Sequence, residues 1–187
     1  STRCVFIGGL TPSKLTTLDS ITIASQGNAV DYGDLITAKR GPAGVSNSVI
    51  GFSTGGDTGS TVDVIESFRI NTGGNATDFG DLTTASKNAS ANSASHGGLN
   101  DGYQGTRITP IPTGLGAGQR ALAAGGFSGG QPTIEEFNMT TTGNASQFGS
   151  LAVGSYEISA MSNTTRCLFA GGENPSGDTD RIEYVEF

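Results

Sequence analysis

Four of the seven pairs of adjacent glycines in the chain each end a mostly apolar run, such as residues 5–7 or 168–170. These four pairs begin 47, 70 and 46 residues apart, at Gly8, Gly55, Gly125 and Gly171. Self-similarity at a period of roughly 20–50 residues is typical of repeat architectures, in which each unit buries its apolar face against the next. Glycine at this point permits a positive φ and a tight exit from a strand. The sequence therefore predicts about three and a half copies of a unit of about 47 residues.

A second apolar segment follows each glycine pair after a polar loop, with the same spacing in every copy. Partial alternation of apolar and polar residues predicts a strand with one face toward a core. The polar slot after the first apolar residue holds Glu66, Glu135 and Glu183 in the later copies. The apolar positions are Leu18, Ile21 and Ile23; Ile65, Phe68 and Ile70; Ile134, Phe137 and Met139; and Ile182, Val185 and Phe187.

Each copy continues with a block built on Gly-Asn-Ala and then a segment of small residues. The block predicts a turn, a short outer strand carrying one aromatic, and another turn. The small residues suit a place where strands crowd together, so we expect that segment to be innermost. With strands lettered a to d from inside outward, the chain reads bcd, abcd, abcd, abc. The blocks are 27–35, 74–82 and 143–151, and the small segments are 41–47 and 158–163.

The composition favours turns and strands over helices. Glycine accounts for 30 residues and charged residues for 14% of the chain, against an average charged fraction of about 25%. No apolar stripe has helical spacing, so the chain is predicted to be all-β. We expect one domain over residues 1–187, with repeats at about 1–47, 48–117 and 118–163 and a partial copy at 164–187. The expected core includes Phe6, Ile21, Phe68, Phe137, Phe169 and Val185.

The two cysteines occupy the same repeat position in the first and last copies. They stand in Arg3-Cys4-Val5-Phe6 and Arg166-Cys167-Leu168-Phe169. We expect both to be buried small apolar residues. A disulfide between them requires their Cα atoms to come within about 7 Å, and therefore requires the two ends of the chain to meet.

The order of these elements resembles the kelch repeat. The shared features are the glycine pair after an apolar strand, the glutamate in the next strand, the outer aromatic with its leucine, and an Ala-Lys-Arg segment at 38–40. The kelch tryptophan is absent, and Tyr32, Phe79 or Phe148 stands in its place. The resemblance implies a kelch-like β-propeller of four-stranded blades, about four of them in this chain. Residues 74–83 are also similar to kelch-like repeats in structural proteins of marine bacteriophages.

Neither end of the predicted strand order completes the other, because the first copy lacks strand a and the last lacks strand d. Three arrangements stay open: a four-bladed ring with two three-stranded blades, a half ring completed by another copy, and part of a larger ring. Unpaired strand edges favour aggregation, so we expect closure or a covering partner.

The second copy carries about 23 more residues than its neighbours, around residues 95–116. Insertions in repeat folds lie in surface loops, where binding usually resides. His96, Asp101, Tyr103 and Arg107 give this loop the groups that contact a sugar or a protein neighbour, and we expect them to bind a partner. A tolerated loop without function is the alternative, because added loop length costs little entropy.

The sequence predicts no enzyme activity, no cofactor and no metal site. A single histidine cannot supply the copper ligands of a kelch-like oxidase. Two copies carry a pair of aspartates that could suggest calcium, but the third copy has Gln147 and Ser150 there, so a turn is the simpler interpretation. The aspartate pairs are Asp31 with Asp34 and Asp78 with Asp81.

Two functions remain, both without catalysis. The net charge of -7, with only ten basic residues, argues against nucleic acid as a partner, and no run approaches the roughly 18 apolar residues of a membrane-inserted span. The phage resemblance implies a virion component such as a tail, fibre or decoration protein, whose partners are other subunits and whose work is assembly or host attachment. The alternative is an extracellular or cell-surface adhesin or lectin-like module whose inserted loop binds a glycan.

Overall fold

The computed structural model describes residues 3–95, 119–127 and 129–187. Every regular element in these ranges is a β-strand, which confirms the all-β prediction. Within them, no helix is long and apolar enough to cross a membrane. The strands are β1 (Arg3–Leu10), β2 (Lys14–Thr22), β3 (Val30–Lys39), β4 (Ala43–Ser46), β5 (Ile50–Thr54), β6 (Val64–Arg69), β7 (Thr77–Asp81), β8 (Ser90–Ser93), β9 (Arg120–Ala124), β10 (Thr133–Asn138), β11 (Ser146–Ser150), β12 (Ser159–Ser162), β13 (Arg166–Ala170), β14 (Glu173–Asn174), β15 (Gly177–Asp178) and β16 (Ile182–Glu186).

These strands form four antiparallel sheets that follow one another along the chain. Sheet 1 has the order β1-β2-β3, sheet 2 β4-β5-β6-β7, sheet 3 β8-β9-β10-β11 and sheet 4 β12-β13-β16, while β14 and β15 form a small hairpin. The described strands therefore have the predicted order bcd, abcd, abcd, abc. Strand β8 contacts both β4 and β12, so the first strands of successive sheets lie together, as their small side chains allow.

Apolar clusters join each sheet to the next. Leu18 and Leu35 of sheet 1 pack with Phe68 and Ala76 of sheet 2. The cluster between sheets 3 and 4 contains Leu122, Ile134, Leu151, Ile158, Cys167 and Phe169. Among the described residues, no such cluster joins sheet 4 back to sheet 1. The array therefore has two outer sheet faces on which no described sheet packs.

Three aromatic rings form the centre of the cluster between sheets 2 and 3. Phe52 and Phe79 meet edge to face with centroids 4.9 Å apart, and Phe137 lies 5.4 Å from Phe52 and 6.1 Å from Phe79. Edge-to-face pairs at these distances add stabilisation beyond the burial of their area. Phe137 belongs to sheet 3, so its ring couples the two sheets directly.

The expected core is confirmed in part. Phe68, Phe137 and Phe169 are buried, and Val185 is half-buried against the cluster between sheets 3 and 4. The prediction for Phe6 is wrong, because its side chain is 53% exposed. Its strand neighbours Val5 and Ile7 pack toward sheet 2, so alternation directs Phe6 to the outer face of sheet 1, where no described sheet covers it. Ile21 is only half-buried and pairs with Cys4 across that sheet.

The Gly-Asn-Ala block of sheet 2 binds the outer strand of sheet 1. The N–H of Gly74 donates to the carbonyl of Tyr32 at 2.8 Å, and the N–H of Ala76 donates to the carbonyl of Asp34 at 2.7 Å. The Asn75 side-chain oxygen accepts the N–H of Asp34 at 3.2 Å. We call this set of bonds the clasp. It shows that the block is a joint between neighbouring sheets as well as a turn.

A second clasp repeats the first between sheets 3 and 2. Gly143 donates its N–H to Phe79 at 3.0 Å, Ala145 donates to Asp81 at 2.7 Å, and Asn144 accepts from Asp81 at 3.2 Å. The strand glycine inside each clasp must lack a side chain. A Cβ on Gly33 would lie 2.5 Å from the carbonyl of Gly74, and Gly80 meets Gly143 in the same way. This close approach explains the glycine after the outer aromatic.

The recurrent glutamates also tie neighbouring sheets together. Glu135 accepts the N–H groups of Thr83 and Thr84 at 2.7 and 3.0 Å, in the connection that arrives from sheet 2. Glu183 accepts the N–H of Ala152 at 2.7 Å in the connection that arrives from sheet 3. Glu66 instead forms a buried ion pair with Lys39 of sheet 1, with 3.1 Å between Nζ and Oε1. In all three copies, the glutamate therefore binds residues at the end of, or just after, the outer strand of the preceding sheet.

The two cysteines occupy different environments, and both are free thiols. Cys167 is fully buried, and burial raises the pKa of its thiol to about 12. Cys4 is exposed, so the prediction that it is buried is wrong. The reason is the same as for Phe6: this position faces the preceding sheet, and sheet 1 has no preceding sheet among the described residues.

We expect an aromatic disulfide reagent to modify one thiol rapidly in the folded protein and the second only after unfolding. Cys4→Ser should remove the fast phase, and Cys167→Ser should leave it unchanged. Ionisation of Cys167 is easier in the unfolded chain, whose thiol has an ordinary pKa near 9. Stability should therefore fall as the pH rises above about 9, and Cys167→Ala should lessen that fall. Two equally fast thiols in the folded protein would contradict the burial of Cys167.

Candidate functional site

The four predicted binding residues of the insertion lie outside the described residues. These are His96, Asp101, Tyr103 and Arg107. Their role stays a prediction. The insertion leaves sheet 3 after β8 and returns to it at β9. Among the described residues, the candidate functional surfaces lie at the two ends of the array, on sheets 1 and 4.

The start face is the outer face of sheet 1. It carries Cys4, Phe6 and Ile21, which point away from sheet 2. Phe6 is 53% exposed and Cys4 is exposed. The end face is the outer face of sheet 4, with Met161, Leu168, Ile182 and Tyr184. Ile182 is 69% exposed and Tyr184 61% exposed.

These exposed positions are the repeat equivalents of residues that are buried between the inner sheets. Phe137 of sheet 3 corresponds to Ile21 on the start face, and it packs on Phe52, which corresponds to Leu168 on the end face. Ile134 is fully buried between sheets 3 and 4 and corresponds to Ile182. The start face therefore carries the residues that, in the inner sheets, contact the preceding sheet. The end face carries those that contact the following sheet.

The clasp is also incomplete at both ends. Sheet 1 carries the clasp residues Gly27-Asn28-Ala29, but within the described ranges neither Gly27 nor Ala29 makes the N–H bond to another sheet that Gly74 and Ala76 make. In β11, Gly149 has the position of Gly33 and Gly80, yet nothing lies within 4 Å of its Cβ position. Both partners of one more clasp are thus present on the chain, in separate sheets.

A cavity lies where the inner edges of the first three sheets meet. Its volume is about 340 Å³, and it is lined by β1 on one side and by Gly44, Val45 and Ala91 of β4 and β8 on the other. Among the described strands, β1 pairs only with β2, so its inner edge borders this cavity without a partner strand. A sheet edge of this kind is a template for pairing with another chain.

A buried carboxylate bonds to three basic side chains, one in sheet 1, one in the connection between sheets 1 and 2, and one in the connection between sheets 2 and 3. Asp57 accepts Lys14 at 2.9 Å and Arg40 and Lys87 at 3.2 Å, and it also accepts the N–H of Gly59 at 2.9 Å. These bonds, that from Lys14 above all, hold the pKa of Asp57 well below its usual range. The contribution to stability is present above the ordinary pKa near 3.8 and is lost in stronger acid. Three cations share this one carboxylate, which makes the cluster an ionic joint between sheets.

Two serines have the Gly-X-Ser-X-Gly spacing of a hydrolase nucleophile. Ser128, in Gly126-Phe127-Ser128-Gly129-Gly130, lies outside the described residues. Ser53 has the spacing but not the environment. It stands in Gly51-Phe52-Ser53-Thr54-Gly55, which fits Gly-X-Ser-X-Gly. Ser53 lies within β5 and is fully buried. A nucleophile elbow needs an exposed serine on a turn between a strand and a helix. Among the described residues, no group of three or more histidine, cysteine, aspartate or glutamate side chains is placed to hold a metal ion.

Comparison with known proteins identifies the fold and no family. Neither the protein-family models nor the curated proteins contain a match to this sequence. The chain is similar to the solved structure titled "Structure of YjhT", with a TM-score of 0.63 and 13% identity. The likeness covers 91% of this chain and 48% of that one, so the chain spans about half the length of the structure that it matches. At this identity the likeness concerns the arrangement of strands alone.

Proposed function

We propose that the chain is a kelch-like β-propeller module without catalytic activity that works by assembly, as a structural part of a phage virion such as a tail, fibre or decoration protein. The observation that carries the proposal is the pair of exposed end faces whose residues are repeat equivalents of buried contacts. The resemblance of residues 74–83 of this chain to repeats in phage structural proteins supports a role in the virion. YjhT, a kelch-type propeller, supports the arrangement of the sheets as blades.

The end faces favour association of copies in one direction. The start face of one copy fits the end face of another, because each repeats one side of the internal contacts. Such a head-to-tail interface closes into a ring or continues as a filament, depending on the rotation that relates the copies. Two copies would also match the length of the YjhT chain, of which one copy covers 48%. Assembly of this kind suits a part of a particle made of many subunits.

We expect the protein to self-associate in light scattering over a concentration series, and Phe6→Glu and Ile182→Glu each to abolish that association. A buried unpaired carboxylate in an apolar interface is costly, so either change should weaken binding at least about 100-fold. Val49→Glu is the matched control, since Val49 is 41% exposed and lies between β4 and β5, away from both faces.

A mixture of the two variants distinguishes a head-to-tail interface from a symmetric one. Phe6→Glu keeps a working end face and Ile182→Glu keeps a working start face, so together they should form dimers that grow no further. A parent protein that is monomeric at every concentration, or a mixture that stays monomeric, would contradict the proposal.

A further inference from the structure

Sheets 2, 3 and 4 each begin with an innermost strand of four residues, and no described strand stands at that place in sheet 1. The three strands are β4, β8 and β12, and each pairs antiparallel with the strand that precedes a glycine pair. In sheet 1 the corresponding strand is β1, and the four residues that would accept such a partner are residues 4–7.

The three inner strands share one sequence pattern. The first two positions are small, the third is variable and the fourth is always serine. The first position is Ala43, Ser90 or Ser159; the second Gly44, Ala91 or Ala160; the third Val45, Asn92 or Met161; and the fourth Ser46, Ser93 or Ser162.

The structure explains the serine. The Ser93 hydroxyl donates to the carbonyl of Ser46 at 2.7 Å, and the Ser162 hydroxyl donates to the carbonyl of Ser93 at 2.6 Å. Each inner strand is thereby bonded through its serine to the inner strand of the preceding sheet. These hydrogen bonds run from each inner strand to the inner strand of the preceding sheet. A strand beside β1 would therefore be the first inner strand of the series.

The cavity lies where such a strand would run. It runs along β1, where Val5 and Ile7 line it, and its far wall is formed by β4 and β8. At the Ile7 end it is narrow, since a Cβ on Gly44 would stand 3.2 Å from Ile7 Cδ1. Ile7 would face the first position of the added strand, which is small in all three existing strands.

We propose that the edge of β1 at residues 4–7, on which no described strand pairs, is a strand-acceptor site, which binds an extended segment of a neighbouring polypeptide with the pattern Ser/Ala, Gly/Ala, any residue, Ser. Main-chain hydrogen bonds to residues 4–7 provide the affinity, and the narrow Ile7 end together with the small residues of β4 provides the selection for small side chains. This proposal specifies the kind of partner that the proposed assembly function requires, and it rests on that function.

The first test supplies the strand on the chain itself. The sequence of residues 158–163, Ile-Ser-Ala-Met-Ser-Asn, is placed directly before Ser1, where it has the same distance to Arg3 as it has to Arg166 in the parent. We expect the melting temperature to rise by about 4 °C and the amide exchange of residues 4–7 to slow at least about tenfold. The control carries proline at the methionine position, which removes a donor and disfavours a paired strand. Equal behaviour of the two fusions would overturn the acceptor site.

The second test supplies the strand in solution. The same hexapeptide, added in millimolar excess to the parent protein, should slow amide exchange at residues 4–7, and the proline peptide should not. Slowing in the fusion alone would overturn donation by a separate polypeptide. Ile182→Glu lies on the end face, away from β1, so the peptide should still bind to this variant. Peptide binding without any self-association would leave the acceptor site standing and remove the head-to-tail proposal.

Discussion

Replacing Phe137 by alanine is expected to lower the free energy of unfolding by about 3–5 kcal/mol, the range for deleting a buried phenylalanine ring. Phe137 is 3% exposed and contacts two other rings that belong to sheet 2. Its loss removes apolar burial, leaves a cavity between two sheets and breaks both edge-to-face pairs. Denaturant unfolding followed by circular dichroism measures the change.

Phe6→Ala is the matched control, because the same residue type is 53% exposed on the start face. We expect it to cost less than about 1 kcal/mol in protein dilute enough to be monomeric, as for an ordinary surface substitution. A loss below about 1 kcal/mol for Phe137→Ala as well would mean that the register of β10 is wrong.

Replacing Gly80 by alanine is expected to cost about 2 kcal/mol or more, comparable to overpacking a close contact. Its φ is +153°, and a Cβ would lie 2.6 Å from the carbonyl carbon of Gly143 inside the second clasp. Backbone cannot move aside as a flexible side chain can, so sheets 2 and 3 would have to separate locally. The loss of Gly143 and Ala145 amide protection should accompany the loss of stability.

Gly149→Ala tests whether the clasp, and not glycine at this repeat position, causes the effect. Gly149 follows the outer aromatic of sheet 3 as Gly80 follows that of sheet 2, yet nothing lies within 4 Å of its Cβ position. This change should be neutral to within about 1 kcal/mol. Equal costs at Gly80 and Gly149 would show that the clasp contributes nothing.

The sequence predicts which strands exist and in what order, because each copy carries the same local signals. The glycine pairs and the spacing of Ile65, Phe68 and Ile70 are sufficient to place strands b and c, and the small segments place strand a. Local pattern also predicts which side of a strand is apolar. It does not determine whether a neighbouring sheet covers that side.

Neighbour packing explains the errors. Phe6 and Phe169 have the same repeat position, as do Cys4 and Cys167, yet the first of each pair is exposed and the second is buried. The predicted strand order already indicated incomplete ends, and this signal identifies both the end faces and the β1 edge. The cluster around Asp57 could not be predicted from the repeat, because the residue after the glycine pair is Leu10, Phe127 or Glu173 in the other copies.

The clasp links each sheet to its neighbour through bonds that neither sheet can form alone. Stability in such an array behaves as a sum of intrinsic and nearest-neighbour terms, as in a one-dimensional Ising chain. Sheets 2 and 3 have a neighbour on both sides, whereas sheets 1 and 4 have one each among the described residues. Thermal fluctuations should therefore open the terminal sheets first, and fraying should move inward. A partner that caps one terminus raises the stability of the whole array by suppressing the step from which unfolding begins.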